Sequence, residues 1–357
     1  MGPGPCLPYP EVTAALGRPL LGHLDEDFLA VLDETCERLR RVFQTDNALT
    51  LPVSGTGSAG MEAAFANTVE PGDVVVVGVN GLFGERMCEV ARRCGAEVRR
   101  VEAPWGRPLD PDDLLSAHPS PKVVALVHAE TSTGVRNCVE GLAGRCGPAL
   151  LLVDTVTSLG GCPVRVDDWG IDVSYSATQK CLGVPPGLAP LTFGRRAWEL
   201  RNLMPQSWYF DLGMIAEYVE TKGQRKYHHT APVCMVYALH AGLGVLLEEG
   251  LDEAWARHER CGRALQDGLE SMGLELLAPA GHRLAQLTAV LVPDGRLPRG
   301  LDEAEVRRRL LREFGIEIGG GLGPYAGRMW RIGCMGNSAR LRHVELLLAA
   351  LGELIGA

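Results

Sequence analysis

The sequence predicts an α/β protein: a large unit built on a mostly parallel sheet covered by helices, then a smaller α+β unit. Three observations carry the prediction. Near-continuous apolar runs recur through the first two thirds of the chain, at residues 74–77, 123–127 and 150–153. Such runs suit parallel strands buried on both faces. Amphipathic stretches with helical spacing lie between them, at residues 83–94 and 111–117, giving the β-α-β rhythm of a helix-covered sheet. From about Gly250 the pattern turns to long helices and isolated short strands.

Taken in order, a glycine-rich turn at residues 54–60 opens a helix over 61–68. The strand at 74–77 precedes the helix at 83–94, and the helix at 111–117 precedes the strand at 123–127. Further strands follow at 150–153 and 172–174. Beyond Gly250, residues 252–271 read as a helix, 284–292 as a strand and 302–313 as a helix. Residues 316–318 read as a strand and 338–355 as a final helix. A chain of 357 residues exceeds what one core usually supports. The expected division is an N-terminal arm at 1–16, a large domain at 17–250 and a small C-terminal domain at 251–357.

Composition narrows the function. Hydrophobic residues make up 46% of the chain and charged residues 22%, ordinary values for a globular protein. A net charge of −9 argues against nucleic acid and anionic membrane surfaces, which demand clustered Lys and Arg. Eleven cysteines are scattered without a C-x-x-C pair, as expected of free thiols in a reducing compartment. No uncharged apolar segment is long enough to span a bilayer. The first residues show no basic stretch followed by an apolar run. A cytoplasmic location is expected.

In open α/β sheets ligands bind beyond the carboxyl ends of the strands, and four features fall there. Ser54-Gly55-Thr56-Gly57-Ser58-Ala59-Gly60 is a turn opening a helix, where free amides and the helix dipole favour an anion. Asp154 closes the strand at 150–153. Lys180 follows the strand at 172–174 and precedes a Gly/Pro-rich turn, a setting that desolvates an amine and makes it nucleophilic. Arg331 sits in an apolar stretch after the glycine-rich loop at 319–324, where a carboxylate would match its guanidinium fork. Each also has a plain structural reading: tight turn, helix cap, solvated lysine, internal ion pair. Together they supply what pyridoxal phosphate (PLP) requires: a lysine for its aldehyde, an anion cup for its phosphate and a carboxylate for its ring nitrogen.

The order of motifs resembles the class V aminotransferases of PLP fold type I, in particular the alanine–glyoxylate and serine–glyoxylate (serine–pyruvate) group. The resemblance runs nearly end to end. It includes Gly2-Pro3-Gly4-Pro5, Asn80-Gly81-Leu82-Phe83-Gly84, Glu130-Thr131-Ser132-Thr133-Gly134-Val135, Tyr175-Ser176-Ala177-Thr178-Gln179-Lys180 and Tyr227-His228-His229-Thr230. It implies a Schiff base on Lys180, with Asp154 paired to the pyridinium nitrogen. Phe83 would stack on the ring, Thr56, Gly57, Ser58 and Gln179 would hold the phosphate, and Ser132 would lie near the phenolic oxygen. Arg331 would grip the substrate α-carboxylate. Tyr227 and Thr230 would reach the phosphate of a neighbouring subunit, which implies a homodimer with shared active sites.

The implied reaction is transamination of a small amino acid, alanine or serine, with glyoxylate or pyruvate as acceptor. Ser58 departs from the histidine of some close relatives and Phe83 from the commoner tryptophan, which leaves pocket volume and donor open. A desulfurase, lyase or epimerase on the same cofactor is the alternative. Gly55 to Gly60 also spells G-x-G-x-x-G, but no acid follows at the end of the next strand, as dinucleotide binding requires.

Overall fold

The computed structural model describes residues 1–219, 225–293, 295, 297–298 and 300–356. Its main sheet has seven strands: β1 (Leu49–Ser54), β2 (Val74–Val79), β3 (Glu97–Glu102), β4 (Val123–Val127), β7 (Leu150–Asp154), β8 (Val173–Tyr175) and β9 (Leu188–Phe193), with a two-stranded ribbon, β5 (Ala129–Glu130) and β6 (Val135–Arg136), beside it. The spatial order is β1-β9-β8-β7-β4-β2-β3. Only β9 runs against the rest, antiparallel to both β8 and β1. The fold class predicted from the sequence is the one observed.

The helices around this sheet are α1 (Pro10–Leu16), α2 (Glu26–Phe43), α3 (Gly57–Thr68), α4 (Leu82–Arg93), α5 (Pro111–Ser116), α6 (Arg195–Glu199), α7 (Leu212–Val219) and α8 (Val233–Glu249). The central strands β4 and β7 are buried at every position, which is why they read as unbroken apolar runs. Helix α2 shows how local chemistry sets an element. Asp25 caps it by accepting from the Asp27 amide, Glu26 and Asp27 face the positive end, and Arg40 and Arg41 lie in the last turn.

The C-terminal portion packs α9 (Leu251–Ser271), α10 (Glu303–Phe314) and α11 (Leu341–Ile355) on a second sheet of β10 (Leu287–Leu291), β12 (Met329–Gly333) and β11 (Gly319–Gly320), in that order. The changeover between the two hydrophobic cores falls inside α9: Ala254 belongs to the first and Cys261 to the second. Between them lies a small cluster of Cys6, Ala129, Cys181, Leu284, Leu287 and Met335.

The sequence reading assigned no elements at α1, α2, β1, β9 or α6–α8, and three further elements differ from it. The strand expected at 316–318 is irregular, and the pairing falls on Gly319 and Gly320 instead. Helix α3 begins at Gly57, inside the glycine turn. Strand β3, with the sequence Glu-Val-Arg-Arg-Val-Glu, is a polar edge that the apolar pattern did not reveal; charges on an edge discourage pairing with other chains. No single helix among the described residues is long and apolar enough to cross a membrane.

Candidate active site

The parallel strands bring their carboxyl ends to one rim, and several of the predicted residues lie at it. Asp154 ends β7 and Tyr175 ends β8, directly opposite it in register. Asp154 is buried. Its Oδ1 accepts the Val156 amide at 2.8 Å, and its Oδ2 accepts the Tyr175 hydroxyl at 2.8 Å. Burial pushes this carboxyl up to about 6, while those two hydrogen bonds oppose the rise.

Lys180 follows β8 by five residues. Burial lowers its amine to about 8, so it gives up its proton far more readily than an ordinary lysine. Its Nζ donates to the Pro3 carbonyl. That contact belongs to an arm that no strand or helix pattern foretold. Met1 O accepts from Gly333 N at 2.8 Å, the Cys6 amide donates to Gln179 O at 2.9 Å, and Tyr9 N donates to Gly183 O at 3.2 Å. The arm therefore stitches the lysine loop to β12, the strand that carries Arg331. Gly4 in the arm has φ +113°, and a Cβ there would collide with the Lys180 amine.

At the start of α3, Thr56 is the N-cap and makes no side-chain cap bond; the Ala59 amide donates to Thr56 O at 2.8 Å, while the Gly57 and Ser58 amides are unclaimed among the described residues. Gly57 is buried, with Ala177 and Val156 where a side chain would go. Ser58 Oγ accepts from Arg86 at 3.1 Å, and the same guanidinium lies 5.0 Å from the centre of the Phe83 ring. Arg86 makes no ion pair among the described residues. The sequence reading missed it, although Phe83 and Arg86 share a face of α4 at i, i+3 spacing. Gln179 has a buried Oε1 without a partner.

Glu130 was also missed. It is fully buried and accepts four hydrogens: from Phe83 N at 3.1 Å, Gly84 N at 3.3 Å, Ser132 N at 3.0 Å and Ser132 Oγ at 2.6 Å. Ser132 Oγ in turn accepts the Leu82 amide at 2.9 Å. The Ser132 proton is thus committed to Glu130, which leaves that hydroxyl only acceptor capacity. The Thr131 hydroxyl, one residue earlier, makes no bond among the described residues.

Arg331 is half-buried on β12. It donates Nε to Gly320 O at 2.8 Å and Nη1 to Thr131 O at 3.4 Å. Those partners are neutral carbonyls. Burial lowers its pKa and the charge of Glu130 opposes that. Tyr227 and Thr230 lie apart from these groups on the surface, 3.3 Å from each other, with Tyr227 59% exposed. Between them in sequence, His229 bonds Ser54 at the end of β1 at 2.7 Å. A cavity of about 340 Å³ lined by His128, Arg136, Cys162, Trp169 and His282 includes none of the predicted residues.

An amine lowered by burial, an open helix start and a buried carboxylate belong to the large sheet, and β12 of the second sheet adds an arginine with no carboxylate partner among the described residues. The profile of the aminotransferase class-V family matches residues 9–322, and the chain belongs to that family. It is similar to the alanine–glyoxylate aminotransferase of Nostoc sp., 46% identical with a TM-score of 0.94, the match covering 99% of this chain and 94% of that one. It is also similar to (S)-ureidoglycine–glyoxylate transaminase of Bacillus subtilis, 39% identical over 98% of this chain and 89% of that protein. The alanine–glyoxylate aminotransferase of Drosophila melanogaster is 38% identical over 99% of this chain and 91% of its own.

Proposed function

We propose that this aminotransferase uses PLP to move an amino group from a small amino acid to glyoxylate or pyruvate. The observation that carries the proposal is the Lys180 amine, lowered to about 8 by burial and close enough to Arg331 and Asp154 to feel both charges. The residues fit the cofactor. The unclaimed amides of α3, with Thr56, Gly57, Ser58 and the orphaned amide of Gln179, suit its phosphate. An amide end can be turned by 180° without altering its shape, so Gln179 can present either donor or acceptor. Asp154 suits the ring nitrogen and Phe83 the ring face. The hydroxyl contact from the 130–133 turn falls to Thr131, because Ser132 is bound to Glu130 and Leu82.

PLP supplies an aldehyde that a lysine takes up and a ring that withdraws electrons from an amino acid's α-carbon. The protein's residues do the rest. Arg331 holds the substrate α-carboxylate through a fork that no carboxylate among the described residues already fills. Lys180, once free, accepts the α-proton and returns it at the other end of the transfer. Asp154 keeps a negative charge against the ring nitrogen, and Tyr175 fixes its orientation. The arm at residues 1–9 covers Lys180 and limits access of water.

Alanine or serine is the proposed donor, since Arg331 is the one arginine assigned to a substrate carboxylate. Both types of relative carry glyoxylate in their names, which supports it as acceptor. Their donors differ, so (S)-ureidoglycine belongs in the test. Tyr227 and Thr230, exposed in a single chain, are proposed to reach the phosphate in a second copy, making a cytoplasmic homodimer with shared sites. The test is a half-reaction: purified enzyme with PLP, mixed with alanine, serine, glycine or (S)-ureidoglycine and followed by absorbance. Loss of the band of the bound cofactor with alanine or serine, and recovery with glyoxylate or pyruvate, is expected. A band unmoved by every donor would overturn the proposal.

A further inference from the structure

Helix α4 starts without a cap of its own. Its N-cap is Gly81, which has no side chain to offer, and a buried helix end must find partners elsewhere. The cap comes from Glu130, 46 residues beyond Gly84 in the chain. Its Oε2 accepts the amides of Phe83 and Gly84, the second and third residues of the helix, where a capping oxygen belongs. The carboxylate also meets the positive end of the helix dipole. A Cβ at Gly81 would overlap Ser132 Oγ and the Glu130 carboxyl, so the glycine is what lets Glu130 come this close.

The four bonds all run into the carboxylate, and they define the rotation and height of the first turn of α4. Phe83 lies in that turn, and Ser132 is tied to the same oxygen pair. Replacing a local cap by a distant buried acid is costly in desolvation, so it calls for a return. The return is that one group sets Phe83 relative to the turn that holds Thr131, which contacts Arg331 through its carbonyl.

We infer that Glu130 is a positioning residue: by capping α4 from across the site it holds the Phe83 ring in place as the platform for the cofactor. The inference rests on the PLP reading above. Glutamine at this position keeps the shape but has only one acceptor oxygen, so it can serve the helix amides or Ser132 but not both.

The experiment compares wild-type enzyme with Glu130→Gln in three measurements. These are PLP affinity by absorbance titration, visible circular dichroism of the bound cofactor, and hydrogen exchange of the peptide spanning Phe83 and Gly84 without cofactor. The variant is expected to bind PLP about tenfold or more weakly, as loss of a charged hydrogen-bond pair implies. Its dichroic band should shrink and its Phe83–Gly84 amides exchange faster. At saturating PLP, the KM for the amino acid should stay within about threefold, because Arg331 retains its carbonyl partners. If Glu130→Gln does not fold, Glu130→Asp, which keeps the charge but draws it back from the amides, is read the same way. Faster exchange with wild-type affinity and dichroism would make Glu130 a structural cap only and overturn the inference, as would unchanged exchange. Failure of the wild-type enzyme itself to bind PLP would instead overturn the cofactor reading.

Discussion

Tyr175 donates its phenolic hydrogen to Asp154 Oδ2 across 2.8 Å, and the two residues are register partners at the ends of adjacent parallel strands. The bond opposes the rise that burial imposes on this carboxyl, whose net value is about 6. In Tyr175→Phe that opposition is lost, so Asp154 should hold its proton to higher pH. PLP affinity is expected to fall about tenfold or more near neutrality, the worth of one hydrogen bond to a charge. The loss should shrink as pH rises and Asp154 ionises. A pH series of cofactor titrations checks this, and equal affinity at every pH would contradict it. Asp154→Asn removes the charge altogether and should cost several orders of magnitude in turnover.

Lys180→Ala should abolish turnover with the fold intact, measured on purified, cofactor-saturated protein. The amine's low pKa adds a second expectation. Between pH 8 and 10.5 the unfolded chain binds a proton at this position that the folded apo-protein does not. Stability of the apo-protein therefore rises with pH across that window, and the cost of burying the charge is fully present below pH 8. Lys180→Met removes the cost, on the order of 3 kcal/mol at most from that displacement. Thermal unfolding without PLP at pH 7 should show a higher midpoint for the variant, and the gain should fade toward pH 10.

Arg331→Ala should raise the amino-acid KM by about 10- to 100-fold, the range for losing charge-assisted hydrogen bonds, with a smaller effect on PLP affinity. Steady-state kinetics across donor concentration, at saturating PLP, separate the two. An unchanged KM would remove Arg331 from the substrate site.

Gly4→Ala places a side chain at φ +113°, against the Lys180 amine. The backbone conformation alone disfavours any residue but glycine. We expect a folded enzyme whose arm is displaced, seen as faster hydrogen exchange over residues 1–9. Turnover should fall at least about tenfold, a strain of roughly 1–3 kcal/mol being expected at such a site.

Much of the site was legible in the sequence because parallel strands end on one rim. Asp154 and Lys180 each follow an apolar strand, and that alone sends both to the ligand edge. The glycine turn at 54–60 was legible for a similar reason, since glycines before a helix mark its N-terminus. Glu130 was not, because its role is to cap a helix that begins 48 residues earlier, and no local pattern marks a distant cap. Ser132 shows the same limit: its motif was visible, but its hydroxyl proton goes to Glu130, which only the packed structure reveals. Arg86 was passed over as one more charge on an amphipathic helix, until α4 packed beside α3 and brought it to Ser58. Strand β3 escaped because an edge strand satisfies half its backbone in water and keeps polar side chains.

The sequence by itself determined the sheet-and-helix order, the amine at Lys180 and the carboxylate at Asp154, since burial of apolar runs leaves those strands no other arrangement. Tertiary structure decided the environment that gives these groups their chemistry. The Lys180 amine is lowered by surroundings that include an arm 177 residues away, and the Asp154 carboxyl is held by a tyrosine on the next strand. Desolvation and long-range hydrogen bonds depend on what lies within a few ångströms, and chain order does not encode that distance.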